Sequence, residues 1–332
     1  MSAAMRFTLG FVSAIAGCTA VFSAQAATIT GTVAGPDGKP FRGAFVQAKN
    51  LKTKITTSVL SDNAGRYAIE NLPAGDYRLT MRAIGFKSDP KSGITLGPDQ
   101  SASYDLALQQ SYVRWSDISM HQGKKLLPDG RGKDTLFANC MACHGFESRM
   151  AAVVRDEDGW RDRVNYMREA MSFFISRPIF GFNDQKAEDV VSYINTMFGE
   201  NSTLPKSPAD LPQYQSEVRP FGDEALKIVY VEYDTPGPNR MPWSAAPAKD
   251  GTFWIPYYGR ANKIGHLNPT TGVITEYPVP ATETAAIHSA VPAPDGTADV
   301  TSVDRRSASS RPKWAAYAAR YACTCAPDGH SG

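Results

Sequence analysis

The sequence predicts a multidomain chain built in three styles: an N-terminal all-β sandwich, a central all-α segment, and C-terminal β-structure in incomplete repeats. Three observations predict it. Over residues 28–108 apolar side chains alternate and turn residues recur at short spacing. Over 115–200 the apolar period becomes helical, around the string Cys140-Met141-Ala142-Cys143-His144. Beyond residue 221, Glu232-Tyr233 returns as Glu276-Tyr277, and Pro247 to Thr252 returns as Pro292 to Thr297.

The first 26 residues read as an export signal. Arg6 supplies the positive end, Phe7 to Phe22 form an uncharged and mostly apolar run, and Ala24-Gln25-Ala26 gives a cleavage site. Ile15-Ala16-Gly17-Cys18 offers a second reading, a lipoprotein box that leaves Cys18 lipidated. Cleavage after Ala26 is preferred, because the apolar run continues past Cys18. Either reading places the chain outside the cytoplasm, in the periplasm. Net charge is +2, with 20% of residues charged, which excludes a strongly basic nucleic-acid binder and an acidic tail.

The sandwich begins with the strand Thr28 to Val33, ended by Gly35-Pro36-Asp37-Gly38. Strands follow at 44–48, 56–60, 66–69, 77–81 and 103–108, punctuated by Asp62-Asn63-Ala64-Gly65 and Leu72-Pro73-Ala74-Gly75-Asp76. The strings G-x-V-x-x-P-D-G-x-P, S-D-x-x-G-R-Y and L-P-A-G-D-Y-R-L resemble the carboxypeptidase regulatory-like domain, a transthyretin-like sandwich. That resemblance implies a non-catalytic appendage. The segment holds no His and no Cys, which agrees with a spacer or binding role.

C-x-x-C-H is the attachment sequence of c-type haem, in which two thiols add across the porphyrin vinyl groups and the next histidine meets the iron. With 5 Cys and 5 His in 332 residues, chance gives this string in on the order of one such chain in a thousand. Gly132-Lys133-Asp134 opens a helix that runs into Cys140. A second helix follows Asp156-Glu157-Asp158, with Asp158 as its cap and Trp160, Val164, Met167 and Met171 on one face. A third runs from Asp184 to Phe198, with Gly199 at its end.

The pattern G-x-x-L-F-x-x-C-x-x-C-H-G is similar to small class I cytochromes c. The resemblance implies one haem c held by Cys140 and Cys143, with His144 as the proximal iron ligand. The string W-x-x-x-V-x-x-M makes Met167 the first choice for the distal ligand and Met171 the second. His121, Met150 and Met197 are weaker candidates, and an open sixth position is the remaining option. Within residues 115–200 the proline-flanked Met loop of the family is missing.

Residues 201–220, with Pro205, Pro208, Pro212 and Pro220, read as an extended linker. Residues 221–297 repeat with an offset of 44–45 positions, the length of a four-stranded blade. The strings A-x-D-G-x-x-W and N-K-I-G-x-x-x-P-x-T-G resemble blades of the virginiamycin B lyase-like propeller family. About one and a half blades are present, too few to close a ring. His266 and His288 read as loop histidines. Residues 298–332 break the pattern and read as a disordered or aberrant tail. Cys323 and Cys325 stand one residue apart, so no structural disulfide is assigned.

These readings converge on an exported c-type cytochrome carrying single electrons. The partner is a redox protein or a quinoprotein-type enzyme, and no nucleic acid is implied. Two alternatives stand beside it: a haem electron acceptor within a larger enzyme, and a haem-based ligand sensor. No nucleophile triad or general acid–base pair is seen, and no catalytic residue is assigned.

Overall fold

The structure is a computed structural model that describes residues 26–141, 145–170, 181–238, 240–258, 261–279, 286–303 and 319–322. Alternation builds the first part. Strand β1 (Ala27–Ala34) turns Ala27, Ile29 and Val33 inward and pairs antiparallel with β4 (Arg66–Leu72). It also pairs in parallel with β8 (Ser101–Ser103), while β9 (Leu106–Ala107) continues alongside it. The facing sheet holds β3 (Thr56–Leu60), β2 (Phe45–Asn50), β5 (Gly75–Arg82) and β7 (Lys91–Leu96), in that order. A short ribbon of β6 (Phe86–Lys87) and β10 (Gln109–Gln110) lies beside them. Ile29, Ile69, Leu72, Tyr77, Leu79 and Leu96 fill the space between the sheets. Each such burial is worth about 1.5–3 kcal/mol. The sandwich expected from the sequence is present.

One strand of this sheet comes from far along the chain. β11 (Tyr230–Glu232) adds antiparallel to the edge of β3, pairing Val231 with Thr57. Gln47, buried in β2, donates to Glu232 at 3.2 Å, and Lys49 meets Asp234 at 2.6 Å. Arg42 binds Asp223 and stacks over the Phe221 ring, 4.4 Å from its centre. The segment expected to open the propeller repeats is therefore the fifth strand of the sandwich sheet.

The expectation of an all-α central domain is overturned. Most of the described ordered structure is β, and the described helices longer than two turns are α3 (Glu157–Ala170) and α4 (Asp184–Phe198). α1 (Met120–Leu126) spans two turns, and α2 (Lys133–Thr135) is a single turn. The expected helix into Cys140 continues from α2 as a wide π-turn over Leu136–Cys140, closed by Met141 N–H on the Leu136 carbonyl at 3.2 Å. A second π-turn covers Glu147–Ala151, and Arg155 and Gly199 form a parallel β-bridge.

The caps are those of ordinary helices. Asn183 Oδ1 accepts from Lys186 N–H at 2.9 Å and starts α4. Asp156 Oδ1 accepts from Gly159 N–H at 2.8 Å, so the capping carboxylate at α3 is Asp156 rather than Asp158. Gly132 has a φ of +94°, and a Cβ there would stand 2.2 Å from the Asp189 carbonyl oxygen, so α2 rests directly on the α4 backbone.

Two long helices cannot enclose a core by themselves, and this one is completed from outside. Tyr214 of α5 (Tyr214–Glu217) and Tyr258 are buried in it, and Leu204, Leu211 and Trp243 pack against it. The stretch read as an extended linker holds a helical turn at Pro208–Asp210 as well as α5.

The propeller assignment is corrected as well: the sequence predicts no closed ring, and what the described residues form is two sheets packed on each other. β12 (Ala246–Pro247), β13 (Phe253–Pro256), β14 (Lys263–Leu267) and β15 (Ile274–Pro278) make one sheet. β16 (Ala286–Pro292), β17 (Thr297–Val303) and β18 (Ala319–Ala322) make another, and no ring is closed among the described residues. Instead the two sheets share a core of Trp254, Ile264, Ile287 and Val300. Among the described residues no helix is long and apolar enough to cross a membrane.

Gly31 tests the sandwich most sharply. A Cβ at this position would stand 2.0 Å from the Tyr104 carbonyl oxygen, where β1 meets the return strand. Gly31→Ala is expected to destabilise the chain by about 1–3 kcal/mol, read as a lower urea midpoint at unchanged slope. An unchanged midpoint contradicts the packing described.

Candidate functional site

A cavity of about 180 Å³ opens where α3, α4 and the first π-turn meet. The amphipathic face of α3 supplies Trp160, Val164 and Met167 to it. The π-turn brings Asn139 and Cys140, and the second π-turn brings Met150. Phe182 and Ile194 close the α4 side. The lining is mainly apolar, as expected for a small-molecule or cofactor site.

Its charged groups are cationic. Arg149, Arg155, Arg163 and Arg168 line the cavity, and no carboxylate does so among the described residues. Arg168 is paired with Asp184, while Arg155 lies over the Trp160 ring, 4.9 Å from its centre. Two donors have no partner. Arg155 Nη1 and Trp160 Nε1 are buried without a hydrogen bond. A buried donor left unsatisfied costs roughly 1–3 kcal/mol, so two at one cavity call for an acceptor brought by a ligand.

The structure places the expected site residues unequally. Cys140 and Met167 line the same cavity, both partly buried against the helical core. Cys143, His144 and Met171 lie outside the described residues, as do Cys18, Cys323 and Cys325. Met150 is buried and shares the cavity, whereas Met197 is buried in the core behind it. His121 stands elsewhere, in a groove between the sandwich and α5, with Nε2 3.8 Å from Glu217 Oε2. Among the described residues no group of three His, Cys, Asp or Glu is placed to hold a bare metal ion.

His266 and His288, read as loop histidines, both lie in strands. His266 lies in β14, stacked on Trp254 at 4.3 Å and bonded to Thr252 Oγ1 at 2.7 Å, and burial pushes its pKa down. His288 lies in β16, 5.5 Å from the Trp243 ring.

Met241 also lines the cavity, and sequence reasoning missed it. It stands 101 positions after Cys140, outside the helical segment, and the one local signal is its flanking prolines, Pro238 and Pro242.

Comparison with known proteins places one part of the chain. Residues 28–109 match the carboxypeptidase regulatory-like domain family, and the sandwich is a domain of that kind. No curated protein matches the chain. Among solved structures, the Bacillus anthracis TIE protein is 18% identical over 26% of this chain and 17% of its own, with a TM-score of 0.23. A streptococcal ancillary pilin is 13% identical over 26% of this chain and 33% of its own, with a TM-score of 0.23. A 3-chlorocatechol 1,2-dioxygenase of Rhodococcus opacus is 11% identical over 26% of this chain and 61% of its own, with a TM-score of 0.22. The chain thus spans less than two thirds of the length of each.

The unsatisfied donors give a prediction for the chain without cofactor. Arg155→Met keeps the apolar stem, removes one orphaned N–H that costs about 1–3 kcal/mol, and gives up a cation–π contact of about 0.5–1 kcal/mol. Relief of the unsatisfied donor outweighs the lost contact, so the apo variant should match the parent in denaturant unfolding or exceed it by about 1 kcal/mol. Marked destabilisation of the apo variant contradicts an orphaned Nη1.

Proposed function

We propose that this chain is an exported carrier of one covalently bound c-type haem and passes single electrons between redox proteins. The observation that carries the reading is the pair of unsatisfied buried donors, Arg155 Nη1 and Trp160 Nε1, at an apolar cavity that also holds Cys140. A flat apolar macrocycle with acidic substituents matches the chemistry of that donor set, the cavity of about 180 Å³ admitting one edge of it, and the C-x-x-C-H string supplies its tether.

In this reading Cys140 and Cys143 would hold the group through thioether bonds and His144 would ligate its iron. Met167 would be the second protein ligand of the iron, with Met171 as second choice. Bound haem supplies a one-electron iron couple whose potential follows axial ligation, burial and nearby charge. The residues around it do the tuning. Val164, Phe182 and Ile194 keep water away, and Arg155 and Trp160 donate to acidic substituents and hold the ring in place. The cationic lining disfavours added positive charge, which raises the potential of an iron beside it, and it fixes anionic groups.

The sandwich is a spacer that the Tyr230–Glu232 strand holds against the rest of the chain. The leader at 1–26 delivers the chain to the periplasm, where c-type haem is attached. The electron partner is a redox protein or a quinoprotein-type enzyme.

The absorption spectrum of the full chain, matured in a host that attaches c-type haem, tests the ligand set. The ferric protein should show the far-red charge-transfer band of thioether ligation, lost in Met167→Ala and kept in Met171→Ala. A band that survives Met167→Ala removes that residue from the iron.

A further inference from the structure

The loop 240–243 belongs by sequence to the C-terminal β-structure, yet it reaches the cavity of the helical part. Met241 is half-buried there, among the residues that surround Cys140 and Met167. Anchors on both sides fix its position. On one side Arg240 forms two hydrogen bonds with Glu276 of β15, each 2.7 Å, and Lys263 of β14 adds a third at 2.8 Å. The hydrogen bonds from Arg240 hold the Glu276 carboxyl down at about 2. On the other side Trp243 N–H donates to the Pro256 carbonyl at 3.0 Å, and Tyr258 N–H donates to the Met241 carbonyl at 2.8 Å. The Trp243 and Tyr258 rings lie 4.9 Å apart, and Tyr258 is buried in the helical core.

A single flexible thioether held between an ion-pair clamp and an aromatic wedge is a costly arrangement for a surface loop. Thioethers adapt to irregular apolar surfaces, which suits a side chain that must close over a bound group. We propose that Met241 is a cover: the C-terminal β-structure lays its side chain against the cofactor cavity and limits the access of water and small exogenous ligands to the iron. Glu276 acts through Arg240 as a positioning residue for that cover. The inference rests on the haem reading above and deepens it, because it gives the C-terminal sheets a task at the same site.

The test uses the full, haem-loaded chain and cyanide as the probe, with the rate of binding to the ferric protein as the readout. Met241→Ala should accelerate cyanide binding roughly tenfold, the rate equivalent of about 1.4 kcal/mol of lost closure. Met241→Leu, which keeps the apolar bulk, should restore the slow rate. Glu276→Gln, which leaves the cavity lining intact, should accelerate binding by a smaller factor. The far-red band should persist in all three. Unchanged rates in Met241→Ala and Glu276→Gln overturn the cover, and so does a Leu variant as fast as the Ala variant. A band lost in Met241→Ala but kept in Met167→Ala overturns it differently, by making Met241 the ligand. Failure of the parent chain to take up haem overturns the underlying reading and the inference with it. That outcome is seen before any cyanide is added.

Discussion

The apolar face of α4 is the surface on which the helical segment assembles: Trp115 and Phe146 meet Phe198, α2 rests on its backbone, and residues from the second half of the chain join the same core. Ala187, Val190, Val191, Ile194, Met197 and Phe198 are all buried along it. At about 1.5–3 kcal/mol for each large side chain, leaving half of that face wet would consume much of a domain's usual margin of stability. Tyr214 and Tyr258 join the same core from outside it, with Trp243, Leu204 and Leu211 packed against it. The helical part and the C-terminal sheets are therefore coupled through one core, and the cavity beside Cys140 lies at that junction.

A second docking, at the other end, has a different physical character. The β11 strand joins the sandwich by backbone pairing, with Arg42–Asp223 and Lys49–Asp234 as its ion pairs. Exposed ion pairs are worth about 0–1 kcal/mol each. The pairing with β3, the Arg42–Phe221 stack and the Phe45–Tyr230 contact at 5.2 Å carry the attachment. The stretch read as an extended linker places Leu204, Leu211 and Tyr214 on the helical core before residues 230–232 return to the sandwich.

What the sequence shows of this follows from the range of each interaction. Local turn chemistry is readable: Asp62 Oδ1 accepts from Ala64 and Arg66 N–H at 2.8 Å each, as the S-D-x-x-G-R-Y string requires. The recurring D-G-T is equally real, since Asp250 and Asp295 each accept from the hydroxyl of the threonine two residues on, at 2.6 Å. That turn says nothing about ring closure, which depends on neighbours that a local string does not specify. Helical periodicity likewise finds α3 and α4 but not Tyr214 and Tyr258, which are buried in the same core. The candidate site divides the same way. Cys140 and Met167 come from a local motif, whereas Met241 and the unsatisfied state of Arg155 and Trp160 exist only in three dimensions.

Covalent attachment of haem is the central claim, and an intact mass measured after acid–acetone extraction tests it most directly. The full chain, expressed with the machinery that attaches c-type haem, should retain the mass of one haem through extraction, and a chain with both Cys140→Ala and Cys143→Ala should retain none. A parent chain that emerges at its apoprotein mass contradicts covalent attachment and the electron-carrier reading built on it.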